Sequence, residues 1–148
     1  MAASMLVANC GGSSEADPVR ALEECGGIRL PSSATVVENA TEDLFPGDKI
    51  VEVVVDLPAA DLAPFKSALE SSAPKQTSPD VLTVPDRFEA EPAPYWRESY
   101  WQDSGLTDEL RAASGNEYFR ASNGNVSQWV VAHDLGGGKY RIFARGAC

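Results

Sequence analysis

His133 is the single histidine of the chain, and Asp134 follows it. A histidine beside a carboxylate is the arrangement that general-base catalysis uses, with the acid orienting the ring. Residues 126–133 read as a strand, however, and neighbours on a strand point to opposite faces, so the two are badly placed for each other. No Gly-x-Ser-x-Gly turn is present to supply a nucleophile. His133 therefore reads as a strand-end residue. One histidine, with Cys10 and Cys25 well separated, does not fit the usual zinc spacings, and the acidic residues do not fall at calcium-loop offsets. No metal and no cofactor is expected. Gly136-Gly137-Gly138-Lys139 has the look of a phosphate loop, but His133 takes the first glycine position of that pattern and Tyr140 its hydroxyl position. It reads as a hairpin turn.

The three cysteines are Cys10, Cys25 and Cys148. A bridge between Cys25 and Cys148 would tie the last residue to the first expected helix, and closing so long a loop stabilises by roughly 4–5 kcal/mol in the chain-entropy model. Two free, buried thiols are the alternative, since cysteine packs as a small hydrophobe. Cys10 follows an uncharged, largely apolar stretch (Met1 to Asn9) and precedes Gly11-Gly12-Ser13-Ser14. This junction resembles the end of a bacterial lipoprotein signal, in which the cysteine becomes the lipidated first residue. It departs from that pattern at Asn9, where a small residue is usual, and in having no basic residue before Arg20. Lipidation of Cys10 and pairing of the other two would leave no odd thiol, which suits an oxidising, extracytoplasmic location. Two sequons, at Asn39 and Asn125, would matter only in a eukaryotic secretory route.

Tyr95, Trp96, Arg97, Tyr100 and Trp101 form the densest aromatic cluster of the chain. Exposed, they would make a stacking surface for a glycan ring or an anchor for a protein partner. Buried, they would seal the open face of a small sheet together with Trp129 and Phe143, and a domain of this size needs large rings inside.

The elements that must position these residues are legible from punctuation and period. Residues 1–16 read as a signal remnant and flexible tether, and 17–148 as one domain. Asp17-Pro18 opens a short helix with Val19, Leu22 and Cys25 on one face, and Gly26-Gly27 stops it. A proline turn leads into a strand through Val36 and Val37. Lys49 to Leu57 is a strand with Val51, Val53, Val55 and Leu57 on one face. Pro58 or Asp61 opens the main helix, with Leu62, Phe65 and Leu69 in its stripe, and a start at Pro58 would leave Pro64 as an interior kink. Residues 71–94 hold five of the ten prolines and read as a long loop. A short helix is expected from Leu106 to Ala113. Three closing strands follow, joined at Asn123-Gly124 and at the triple glycine.

Strand, strand, helix and a three-strand meander define an α+β domain: an antiparallel sheet of about five strands (β-β-α-β-β-β) with one main helix on a face. The stretch Leu30-Pro31-Ser32-Ser33-Ala34-Thr35, with Pro58-Ala59-Ala60-Asp61 after the strong strand, resembles actinobacterial secreted or lipid-anchored proteins of unknown function. That resemblance implies a compartment and no activity.

At 148 residues the chain is long enough for one core. Its net charge of −10 argues against nucleic acid and against a polybasic grip on lipid headgroups. No apolar run reaches the roughly 18 residues of a spanning helix. The sum is a monomeric, non-catalytic protein, lipid-anchored or secreted, binding a protein or glycan at the bacterial cell envelope. The alternatives are an envelope hydrolase using acidic residues brought together by the fold, and an acidic immunity- or inhibitor-like protein that meets a basic partner.

Overall fold

Asp17 and Pro18 start the first helix for separate reasons. Proline has no N–H to lose at a helix start and holds φ near the helical value, while Asp17 Oδ1 accepts from the Val19 N–H at 3.1 Å. The resulting α1 (Pro18–Gly26) ends at Gly27, whose φ of 68° is left-handed and whose N–H returns to the Glu23 carbonyl at 2.9 Å. The computed structural model describes residues 17–43, 47–74, 87–90, 116–123 and 126–148.

The remaining elements are β1 (Thr35–Asp43), β2 (Lys49–Pro58), α2 (Ala59–Ser72), β3 (Glu117–Asn123), β4 (Val126–Gly136) and β5 (Lys139–Ala147). The five strands form one antiparallel sheet in the order β1-β2-β5-β4-β3. β5, last in sequence, lies in the middle, with Ala144 opposite Val53 on one side and Val130 on the other. The period of two in β2 sends Val51, Val53, Val55 and Leu57 to one face, where they are buried with Phe119, Val130, Ile142 and Ala144. Both helices cover this face: Leu22 and Cys25 of α1 and Leu62, Phe65 and Leu69 of α2 belong to the same cluster. Each such buried Val, Leu, Ile or Phe side chain stabilises by about 1.5–3 kcal/mol relative to exposure.

One detail differs from the sequence expectation, and one choice the sequence left open is decided. The cover is shared between two helices, because α1 lies directly on the sheet. Gly26 packs on Gly146, and a Cβ built on Gly26 would come 2.6 Å from the Gly146 Cα. In addition, α2 begins at Ala59 with Pro58 at its N-cap position and keeps Pro64 inside. Pro64 removes one helical hydrogen bond, while the Ala59 N–H is taken up by the Gly138 carbonyl at 2.8 Å. Asp61 then falls in the first turn, where a carboxylate is favoured, and its Oδ2 accepts from Ser33 Oγ at 2.6 Å.

The last turn of α2 extends into the expected loop as far as Ser72. Within that loop, Glu89 pairs with Tyr118 through reciprocal backbone hydrogen bonds of 2.8 and 2.7 Å. Residues 87–90 are tied down from the helix side as well. Glu70 Oε1 accepts from the Phe88 N–H at 2.9 Å, Phe88 stacks on Phe119 at 5.2 Å, and Lys66 lies over the Phe88 ring while bonding Glu117 at 2.7 Å.

Candidate functional site

The binding residues expected from sequence, Tyr95, Trp96, Arg97, Tyr100 and Trp101, lie outside the described residues, as do the lipidation candidate Cys10, the expected helix at 106–113 and the sequon at Asn125. The sequon at Asn39 lies on the exposed strand β1. Cys25 and Cys148 are joined by a disulfide, with their Cα atoms 5.1 Å apart across 123 residues of sequence. Cys148 is also held by β2, since its N–H donates to the Lys49 carbonyl at 3.0 Å and its carbonyl accepts from the Lys49 N–H at 2.9 Å. The bridge thus joins the last turn of α1 to a residue already in the ladder.

Beside the bridge, Gln128 on β4 is fully buried under the end of α1 and donates from Nε2 to the Gly26 carbonyl at 2.7 Å. That carbonyl is among the last of the helix and has no partner along it. A strand side chain therefore caps the helix from below. Disulfide, glycine contact and Gln128 bond are contributed by consecutive or near-consecutive residues, and together they fix α1 to β4 and β5.

The sheet face opposite the helices carries most of the remaining chemistry-bearing side chains. Val54, Trp129, Val131 and Phe143 are buried there as a second cluster, with Tyr118 and Ala147 packed against it. Trp129 and Phe143 thus lie together on that face. The Trp129 ring is flanked by two guanidinium groups, Arg120 at 5.6 Å and Arg145 at 5.4 Å from its centroid, a favourable placement for cations over an aromatic face. Arg145 also approaches Glu52 Oε1 at 3.5 Å, and both side chains are largely buried, at 12% and 15% exposure. Four residues along the same two strands, Arg141 grips Asp56 with two bonds of 2.9 and 3.3 Å.

This charged and aromatic face joins residues of several strands and is not assembled by any local sequence pattern. Its signal is the unbroken run Trp129-Val130-Val131-Ala132, which is apolar on both sides of the strand and so marks a segment buried on both faces.

His133 and Asp134 separate, as strand alternation requires. His133 Nδ1 bonds Asn116 Oδ1 at 2.8 Å, and Asn116, itself buried, reaches the Tyr118 hydroxyl from Nδ2 at 3.4 Å. Asp134 instead accepts from the Gly136 N–H at 2.7 Å and shapes the turn. Gly136, Gly137 and Gly138 all have positive φ, 74°, 64° and 80°, which builds the hairpin read from the sequence.

Among the described residues, no group of three His, Cys, Asp or Glu is placed to hold a metal ion, and no helix is long and apolar enough to cross a membrane. Arg20 is pushed above the ordinary arginine range by its hydrogen bond and charge attraction to Glu24, an exposed pair one helical turn apart. The fold and this face define a small α+β domain with an internal disulfide. Comparison with protein-family models, with curated proteins and with solved structures gives no match.

Proposed function

We propose that this protein is a non-catalytic extracytoplasmic domain, tethered to a bacterial membrane by lipid on Cys10, that binds a protein or glycan at the cell envelope. The observation that carries this reading is the Cys25–Cys148 disulfide. Such bonds persist in oxidising compartments and are rare where glutathione and thioredoxin keep thiols reduced. Removal of two cysteines into a bridge leaves Cys10 alone beside a Gly/Ser tether, which is the arrangement a lipid anchor uses. The binding residues in this reading are Tyr95, Trp96, Arg97, Tyr100 and Trp101. Aromatic rings with a neighbouring guanidinium bind sugar faces and protein anchors alike.

The test is co-sedimentation of the full chain with a purified bacterial envelope fraction, alongside a Trp96→Ala/Trp101→Ala variant checked by circular dichroism. Binding by the parent chain and its loss in a folded variant support the reading. A variant that fails to fold makes those rings part of the core and removes them as a site.

A further inference from the structure

The two edges of the sheet are treated differently. At the β3 edge, Tyr118 is paired by Glu89. At the other edge, among the described residues, β1 pairs with β2 alone, and all nine of its residues are exposed. An unpaired strand edge presents a row of backbone N–H and C=O groups that another strand can complete. The side chains of β1 select which strand. Residues 31–48 contain Glu38, Glu42, Asp43 and Asp48 and no lysine or arginine. A register shift between Val36 and Glu38 sets Glu38 opposite Val54, Ala40 opposite Glu52 and Glu42 opposite Ile50. Glu38 and Glu42 therefore share one face of the strand, four residues apart, with Glu52 of the neighbouring strand between them. Val36 and Val37, 39% and 48% exposed, give the same strand an apolar start.

We infer that the outer edge of β1, unpaired among the described residues, is a docking strand for an extended basic peptide segment, with Lys or Arg at positions i and i+4 facing Glu38 and Glu42. A second copy of this chain is the wrong occupant. It would bring the same acidic strand, on a molecule of net charge −10, and like charges across a strand pair are destabilising. The acidic edge thus keeps copies apart and admits a strand of opposite sign. This inference is independent of the compartment and of the aromatic residues, so its failure and theirs are separable.

The probes are two synthetic peptides, Thr-Lys-Val-Thr-Val-Lys-Thr and its counterpart with Glu in place of Lys, titrated into the isotopically labelled full chain and followed by amide shifts and hydrogen exchange. The Lys peptide should bind saturably, with shifts and slowed exchange concentrated in 35–43, and should weaken about tenfold between roughly 0.05 and 0.5 M salt. A Glu38→Lys/Glu42→Lys variant, with both substitutions at exposed positions, should keep its melting temperature and reverse the preference to the Glu peptide. Absence of saturable binding, shifts spread away from β1, equal binding of both peptides, an unreversed preference in the folded variant, or sedimentation showing copies paired through β1 would each overturn the inference.

Discussion

Gly26 and Gly146 meet backbone to backbone: a Cβ built on either would lie 2.6 or 2.7 Å from the Cα of the other. This contact lets the end of α1 rest on the central strand of the sheet with nothing between them. It also brings the Gly26 carbonyl within reach of Gln128, and Cys25 within reach of Cys148.

Alanine at Gly26 or Gly146 should therefore destabilise through overpacking, by about 2–3 kcal/mol. Gly137 has positive φ but nothing within 4 Å of its missing Cβ, so Gly137→Ala should cost only about 1 kcal/mol of backbone strain. Urea denaturation midpoints for the three variants check the order. Equal losses would mean that α1 can move off β5.

Gln128→Leu keeps the volume but leaves the buried Gly26 carbonyl without a donor. A loss of about 1–3 kcal/mol is expected, with an unchanged denaturant slope. A neutral effect would show that the carbonyl finds another partner when the amide is removed.

Reducing the Cys25–Cys148 bridge should lower stability by up to about 4–5 kcal/mol, since it closes a long loop in the unfolded chain. Thermal melts with and without reductant measure this. The backbone bonds between Cys148 and Lys49 should persist below the lower melting point, seen as slow exchange of the Cys148 amide in the reduced protein.

Glu70→Ala removes the acceptor for the Phe88 N–H. Residues 87–90 should then loosen from α2, and the Tyr118 amide, which donates to Glu89, should exchange faster while global stability changes by less than about 1 kcal/mol. A Tyr118 amide that stays protected would show that the stacking of Phe88 on Phe119 holds the segment unaided.

What could be read from the sequence was what neighbouring residues decide. Asp17, Pro18 and Gly27 bound α1 by local hydrogen bonds and dihedrals, and the alternation of β2 identifies its buried face without reference to any partner. The triple glycine marks its turn by its own backbone freedom. The cysteine pair was also legible, from position. What was not legible depends on residues far apart in sequence. The central place of β5 depends on pairing with β2 across α2 and the whole β3–β4 hairpin, and Gly146 reads locally as a weak point in a strand. The Arg120–Trp129–Arg145 arrangement draws on three strands whose order no local pattern sets. The β1 segment was visible as a strand, but its place at the end of the sheet follows only from the strand order.

Location outside the cytoplasm, with a lipid tether, is tested most directly by intact mass. The protein would be expressed with its upstream genomic sequence in a lipoprotein-processing bacterium and weighed before and after reduction. A chain that begins at a diacylated Cys10, and that gains two hydrogens on reduction, is the expected result. A chain that keeps residues before Cys10 and carries three free thiols would contradict both the anchor and the compartment.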